Sequence, residues 1–179
     1  MNWLHGQQEY LIRQIKTTRD IARQILRHSS FRFQEYSQRY ADPTQDLGFV
    51  IREARLQDAK NRQNSIEVDD SDLEEEWTMR QVYHTANARE LYTWAIENGI
   101  AKEQARAVLP EGNTESVMIM SGSLRSWVHY CQLRMDKATQ KEHRIVAEQC
   151  WEIIGQHFPD VIKALDDMAA WAEFERKLP

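Results

Sequence analysis

The sequence predicts an α+β fold, in which a small sheet packs with long helices. The chain has 179 residues, a length that suits one domain with its own core. Hydrophobic residues make up 41% and charged residues 28%, the balance of an ordinary globular protein. Helical and alternating hydrophobic patterns both occur, and no repeat or Pro/Gly-rich linker separates them. We therefore expect residues 1–179 to form a single domain.

Composition and charge exclude several classes of protein. A formal net charge of −5 argues against a protein that coats nucleic acid, because that affinity rests on clustered Lys and Arg. No apolar stretch approaches the ~20 residues of a membrane span, and the first residues do not resemble a signal peptide. Cys131 and Cys150 lack metal-ligand spacing, so we expect reduced core thiols and no metal. The sequence predicts a cytoplasmic protein.

The first predicted element is a helix over 17–27, with Thr17 as its N-cap and Asp20 three residues later. At roughly 100° per residue, its apolar stripe consists of Ile21, Ala22, Ile25 and Leu26. Gln24, Arg27 and His28 fall together on the opposite side. The helix therefore delivers three polar side chains to one place.

The next stretch is predicted to be extended. Residues 30–40 alternate polar with aromatic side chains, a pattern that favours a strand. Successive strand side chains point to opposite faces, so Glu35, Ser37 and Arg39 are predicted to share one side. Residues 42–44, Asp-Pro-Thr, are a turn signal. Residues 49–56 alternate apolar with charged side chains and predict a second strand.

The remaining chain is predicted to be mostly helical. A polar connection covers 57–70, and the capping box at 71–74 then opens a long helix to Asn98, which stops at Gly99. The further predicted elements are a short helix over 101–109 ended by Pro110, a strand over 114–120, and helices over 124–135, 141–158 and 160–177.

The helix over 124–135 carries polar residues beside its apolar stripe. That stripe consists of Leu124, Val128, Cys131 and Met135, with Trp127 at its edge. Arg125 and His129 lie one turn apart on a polar face. Arg134 falls at the border of the core, and we expect it to have a partner because an unpaired buried charge is costly.

The residues by themselves indicate an arginine-rich pocket for a small anion. Arg27, Ser37 and Arg39 are suited to hold a phosphate, while Glu35 and Gln24 are suited to orient a polar ring. No nucleophile constellation or glycine-rich phosphate loop appears. Two plainer interpretations stay open. The segment from Arg27 to Arg39 is then a surface strand with solvated arginines, and the guanidinium of Arg134 reaches water while its stem packs.

Four ordered motifs are similar to those of one known enzyme family. Arg27-His28-Ser29 is followed by seven residues and then Ser37, within the run Phe-Gln-Glu-Tyr-Ser-Gln-Arg-Tyr at 33–40. Residues 105–110 read Ala-Arg-Ala-Val-Leu-Pro, and further matching segments lie at 121–134 and 140–143. Together they resemble the flavin-dependent thymidylate synthases (ThyX) over about residues 12–158.

The resemblance implies a ThyX-like domain with two kinds of site residue. Those implied for deoxyuridine monophosphate (dUMP) are Gln24, Arg27, Glu35, Tyr36, Ser37, Gln38, Arg39, Arg106 and Arg134. Arg134 is implied as catalytic, because a permanent guanidinium against the uracil favours ionisation at N3. Those implied for FAD are Arg27, His28, Ser29, Glu35, Ser123, Arg125 and His129.

The implied reaction is the reductive methylation of dUMP to dTMP. In this family, reduced FAD transfers a one-carbon unit from methylenetetrahydrofolate to C5 and supplies the hydride, and NADPH re-reduces the flavin. The cofactor carries the difficult step, so no protein nucleophile is required. The resemblance also implies a homotetramer with active sites shared between subunits.

Two departures from the family pattern concern the flavin. Ser29 stands where the third residue of the Arg-His-Arg triplet is expected, and a hydroxyl cannot replace a permanent cation. Residues 4–9 do not reproduce the family's flavin-contacting N-terminal segment, so we expect that portion to be shortened. Two alternatives therefore stay open: an enzyme that installs another group at C5, such as hydroxymethyl, and a nucleotide-binding homologue without flavin.

Overall fold

The computed structural model describes residues 10–40 and 42–177, with side chains as far as residue 168. The strands are β1 (Tyr10–Thr18), β2 (Arg32–Glu35), β3 (Arg55–Gln57), β4 (Ser65–Glu67) and β5 (Glu115–Ser123). The α-helices are α1 (Arg19–Ile25), α2 (Pro43–Asp46), α3 (Ser71–Glu97), α4 (Lys102–Ala105), α5 (Leu124–Arg134), α6 (Lys141–His157) and α7 (Pro159–Lys177), and a 3-10 turn covers Arg106–Val108. The predicted α+β fold class is confirmed.

The main sheet has the strand order β1-β5-β2, and both pairings are antiparallel. All nine residues of β1 pair with β5, from Tyr10 opposite Ser123 to Thr18 opposite Glu115. Because side chains alternate along a strand, one face of β5 is buried and the other is open. Met118 and Met120 are fully buried, whereas Ile119 between them is exposed. The outer face therefore stays uncovered within the described residues.

The core lies between the inner face of this sheet and three helices, α1, α5 and α6. Its fully buried members include Ile21, Ile25, Met118, Met120, Trp127, Tyr130, Cys131 and Ala147. Gly122 permits the closest contact, because a Cβ added there would lie 2.5 Å from Cδ1 of Phe31. Phe31 in turn packs edge-on against Trp127, with ring centroids 5.0 Å apart. This core places the C-terminal end of α1 directly beside α5.

The start of the first helix was wrong, and the strand before it was not predicted. Thr17 belongs to β1, and the helix begins at Arg19 with Thr18 as its N-cap. Nine residues of pairing with β5, a partner about a hundred positions away, outweigh the local capping signal. The apolar stripe holds for Ile21 and Ile25, whereas Leu26 is exposed.

The predicted extent of the second strand region was also wrong. β2 ends at Glu35, and the amide of Tyr40 donates to the carbonyl of Ser37 in a turn. Ser37 and Arg39 therefore do not continue the strand face of Glu35. The turn signal at 42–44 forms the one-turn helix α2, whose N-cap Asp42 accepts from the Thr44 amide.

The strand predicted over 49–56 was wrong over most of its length. Phe49 forms only an isolated bridge with Thr114, and regular pairing begins at Arg55. The predicted connection over 57–70 contains β4, which pairs with β3 as a hairpin. Contacts from Arg52 to Asp20 and Glu142 tie the segment to distant helices, which local alternation does not reveal.

The long helices were predicted well. α3 ends at Glu97, and Gly99 follows with a φ of +78°, which favours glycine. Its N-cap is Asp70 rather than Ser71, because the Asp70 side chain accepts from two amides of the first turn. In α5 the buried face contains Trp127, Tyr130 and Cys131. None of the described helices is long and apolar enough to cross a membrane.

Some predictions lie outside the described residues. They concern residues 1–9, which include the segment 4–9. The assignment of residues 1–179 to one domain also stays a prediction.

Candidate active site

Four polar side chains gather where α1 ends beside α5. We call this set, Gln24, Arg27, His28 and Arg134, the α1 half-site. Nε of Arg134 donates to Nε2 of His28 at 2.9 Å, so the expected partner of Arg134 is a histidine. The sequence placed Gln24, Arg27 and His28 on one side of the helix, and the fold brings Arg134 to them.

His28 is held neutral in this arrangement. Burial, followed by the charges of Arg134, His129 and Arg27, lowers the pKa of His28 to about 4. A guanidinium can only donate, so Nε2 of His28 accepts and its single proton lies on Nδ1. His28 therefore presents an N–H donor at neutral pH.

A hydrogen-bond chain that begins at exposed Gln140 connects Gln24 to the buried His143 and Tyr130. The side-chain oxygen of Gln24 lies 3.3 Å from Nδ1 of His143, and its amide nitrogen donates to Oε1 of Gln140 at 2.7 Å. Nε2 of His143 lies 3.1 Å from the hydroxyl of Tyr130. Tyr130 and His143 are both fully buried. Sequence reasoning did not select Tyr130, Gln140 or His143 as site residues, although each stands in a motif segment.

A second set of predicted residues lies around α4. We call Ser37, Gln38, Arg39 and Arg106 the α4 half-site. Arg39 pairs with Glu103 of α4 at 3.2 Å, and both side chains are more than half exposed. Gln38 is buried, but its amide nitrogen has no hydrogen-bond partner within the described residues. A buried amide without an acceptor is costly, so this donor is suited to a group from outside the chain.

Glu35 and Tyr36 make their contacts outside both half-sites. Glu35 accepts from Arg19 at 3.4 Å and from the Ser116 hydroxyl at 2.7 Å, which places it at the N-terminal end of α1. Seven helical residues span about 10 Å, so Glu35 lies about that far from the end where Gln24 and His28 sit. No hydrogen bond or ion pair joins Arg27 to Ser37 or Arg39 within the described residues. Tyr36 turns away to donate to Asp46 at 2.8 Å.

The residues predicted for FAD are distributed over α1, β2 and α5. Arg27, Ser29, Arg125 and His129 are exposed, and His129 is close enough to influence the pKa of His28. Ser123 is the N-cap of α5 and accepts from the Ser126 amide. Neither Arg27 nor Arg125 has an ion-pair partner among residues 10–40 and 42–168, so two cations stay available to a diphosphate. This donor set fits a flavin dinucleotide. Ser29 adds a hydroxyl to the set but no positive charge.

A network of ion pairs links the first turn of α1 to the first turn of α6. Arg52 donates to Asp20 at 2.8 Å and contacts Glu142 at 3.1 Å, and Arg55 also pairs with Glu142. Burial raises the pKa of Glu142, but hydrogen bonds from Arg55 and the charge of Arg52 outweigh it and lower the pKa to about 2. Glu142 is therefore ionised at neutral pH and fixes the first turn of α6.

Neither cysteine is an activated nucleophile. Cys131 and Cys150 are buried and unpaired by disulfide, as predicted. Burial raises the pKa of Cys131 strongly and that of Cys150 to about 11, so neither is a thiolate at neutral pH. No cluster of potential metal ligands occurs in the described part of the chain.

Comparison with known proteins finds one family. The family model described as thymidylate synthase complementing protein matches residues 8–160. A probable flavin-dependent thymidylate synthase of Paramecium bursaria Chlorella virus 1 is 44% identical over 92% of this chain and 75% of its own length. The flavin-dependent thymidylate synthase of a Synechocystis species is 47% identical over 86% of this chain and 69% of its own length.

A solved structure shares the fold. It is that of a UMP/dUMP methylase, PolB, from Streptomyces cacaoi, crystallised with 5-Br UMP. The two structures superpose with a TM-score of 0.73 over 82% of this chain and 68% of that one. The sequences are only 24% identical, so this likeness concerns the fold alone.

Proposed function

The chain belongs to the flavin-dependent thymidylate synthase family, and from this membership we propose that it methylates dUMP to dTMP. Methylenetetrahydrofolate is the proposed one-carbon donor and NADPH the proposed reductant. The observation that carries the proposal is the α1 half-site, where Arg134 donates from Nε to a neutral histidine and its terminal nitrogens have no hydrogen-bond partner within the described residues. Its chemistry suits a ring that carries carbonyl oxygens and develops negative charge.

Arg134 is the proposed catalytic residue. Its Nε is occupied by His28, which leaves the terminal guanidinium nitrogens for the uracil. A positive charge held at this point favours the N3 anion and thereby activates C5. Gln24 and Arg27 complete the proposed nucleotide contacts at this end. The other proposed contacts are Glu35, Tyr36, Ser37, Gln38, Arg39 and Arg106.

The proposed flavin contacts are Arg27, His28, Ser29, Glu35, Ser123, Arg125 and His129. When bound, FAD supplies the one-carbon transfer and hydride chemistry of the reaction. The chain itself contributes the unpaired Arg27 and Arg125, which are suited to neutralise a diphosphate. Ser29 contributes a hydroxyl where a cation is expected, so we propose weaker retention of the flavin than in a chain with arginine there.

We further propose that the active site is shared between copies of this chain in a homotetramer. No hydrogen bond or ion pair links the two half-sites within the described residues. The buried amide of Gln38 lacks an acceptor within the described residues. Apolar side chains lie exposed on the outer sheet face and on α3, among them Ile12, Trp77 and Trp94. Such surfaces are typical of protein interfaces.

One assay tests this function against its alternatives. Purified protein is incubated with dUMP, methylenetetrahydrofolate, NADPH and FAD, and the nucleotide product is identified by mass. dTMP is expected. A hydroxymethylated nucleotide would replace the proposal with a related C5-modifying activity. Protein that shows no flavin absorption after incubation with FAD, and no product, would indicate a nucleotide-binding homologue.

A further inference from the structure

We propose that a cavity outside both half-sites binds a planar aromatic compound that carries an acidic group. The cavity has a volume of about 850 Å³, a size typical of small-molecule sites, and is lined by α3, the β3–β4 hairpin and the first turns of α1 and α6. None of the residues predicted to contact dUMP or FAD lines it. The cavity is therefore a second ligand site, and its occupancy does not depend on the proposed function.

One wall of the cavity is a face of α3 that continues the buried face of this helix. In its second half, α3 is buried through residues such as Ala88 and Tyr92, and Tyr92 packs in a small core with α4. Leu73, Trp77 and Gln81 follow at four-residue spacing on the same side of the helix. Gln81 is buried, whereas Leu73 and Trp77 line the cavity and are 43% and 42% exposed. The described part of the chain thus leaves two large apolar side chains on this face partly uncovered.

The opposite wall is the β3–β4 hairpin, which adds Leu56 and Val68. The loop of this hairpin has a fixed shape. The side-chain nitrogen of Gln57 donates to three carbonyl oxygens between the strands, each at 3.2 Å, and the carboxylate of Asp58 accepts from two loop amides. An aromatic ring between the two walls buries apolar surface against Leu56, Val68 and Trp77.

Two polar groups of the hairpin line the cavity without a partner. The guanidinium of Arg62 takes part in no ion pair or hydrogen bond among residues 10–40 and 42–168. The side-chain oxygen of Asn64 is buried and has no hydrogen-bond donor in the same part of the chain. A guanidinium binds an acidic group, and a buried oxygen is satisfied by an N–H group of the same ligand.

The carboxylates that line the cavity do not oppose an acidic ligand. Asp20 and Glu142 both pair with Arg52, and Glu142 also pairs with Arg55. These two guanidinium groups balance the negative charge of the two carboxylates. Arg62 is therefore the residue that favours an acidic group at the cavity.

The test measures the binding of two matched ligands by calorimetry on the purified chain with FAD added. Anilinonaphthalene sulfonate carries an aromatic ring system, an N–H group and an acid, and the corresponding sulfonamide has the same shape without the charge. We expect Trp77→Ala to weaken both ligands by about tenfold, because it removes the aromatic side chain of the wall. Arg62→Gln should weaken the sulfonate alone, by about fivefold, because only the sulfonate is charged.

Two control variants change the same residue types away from the cavity. Trp94→Ala removes an exposed tryptophan from another side of α3, and Lys60→Gln removes a positive charge from the hairpin loop. Neither residue lines the cavity, so both variants should keep wild-type affinity for the two ligands. Equal losses in the controls would overturn the inference, because the ligands would then bind to exposed apolar or charged surface in general.

Three further results would overturn the inference. The first is a wild type that does not bind the sulfonate, or affinities that stay unchanged in both Trp77→Ala and Arg62→Gln. The second is displacement of the sulfonate by tetrahydrofolate, which would make the cavity part of the co-substrate site. The third is a changed sedimentation coefficient of Trp77→Ala, which would show that a second copy of the chain covers this wall. The product assay with dUMP tests the proposed function separately in each case.

Discussion

The two half-sites differ in how much of their geometry is supplied by one chain. The α1 half-site is built on the core, since Gln24 lies 3.3 Å from buried His143 and the ring of His28 packs edge-on against buried Tyr130. The α4 half-site lies on a turn and is held by the exposed pair of Arg39 and Glu103, beside an amide without an acceptor. The first is organised for chemistry before a ligand arrives. The second has the character of a contact surface that a ligand or another copy completes.

Arg134→Ala tests the catalytic role proposed for the α1 half-site and has the largest expected effect. Removal of the guanidinium takes away the charge that stabilises the N3 anion, so kcat is expected to fall by about 10²–10³-fold. The thermal midpoint should change little, because Arg134 is only half-buried and lies at the border of the core. Turnover and melting measured on the same preparation check this. Nucleotide binding and turnover at wild-type levels would contradict the assignment.

Arg39→Ala tests the nucleotide-binding role proposed for the α4 half-site. Loss of a guanidinium that meets phosphate is expected to weaken dUMP binding by about tenfold, with kcat at saturation largely retained. Stability should stay within about 1 kcal/mol, because the pair with Glu103 is exposed. Calorimetric binding and steady-state kinetics measure the two effects. The exposed Arg23→Ala, whose side chain pairs with Glu111, serves as a control that should leave binding unchanged.

The buried His143, which lies beside the α1 half-site, predicts an effect of pH on stability. Burial, followed by the charge of Arg134, lowers the pKa of His143 to about 4, from a reference value of 6.5. Between these values the unfolded chain binds more protons, so the free energy of unfolding should fall as the pH drops from 6.5 toward 4. Urea denaturation at several pH values measures the slope. In His143→Phe the slope should be smaller, and an unchanged slope would show that His143 does not cause it.

Replacement of both cysteines by serine has the smallest expected effect on catalysis. Cys131 and Cys150 are buried with raised pKa values and lie outside both half-sites, so turnover per folded molecule should stay near that of the wild type. Some stability is expected to be lost, since each hydroxyl replaces an apolar thiol in the core. Circular dichroism and the product assay separate the two. Complete loss of turnover in a folded double variant would argue against a mechanism without a protein nucleophile.

The secondary-structure predictions were correct where they depend on neighbouring residues and wrong where they depend on residues far apart in the sequence. α3, α5, α6 and α7 were predicted within a few residues, because 3.6-residue periodicity and helix stops such as Gly99 are written in adjacent positions. β1 was missed and the strand at 49–56 was misplaced. The pairing of β1 with β5 and the bridge between Phe49 and Thr114 join positions that are far apart in the sequence.

For the site, the sequence by itself determined the residue types and the family. The ordered motifs select Gln24, Arg27, His28 and Arg134, because a motif preserves the chemistry that a ligand requires. Their ligand roles stay predictions. Only the tertiary structure decided that His28 is the partner of Arg134, and that His143 lies within hydrogen-bond distance of both Gln24 and Tyr130. Hydrogen-bond direction and separation in space depend on how α1, α5 and α6 pack, which no local pattern in the chain encodes.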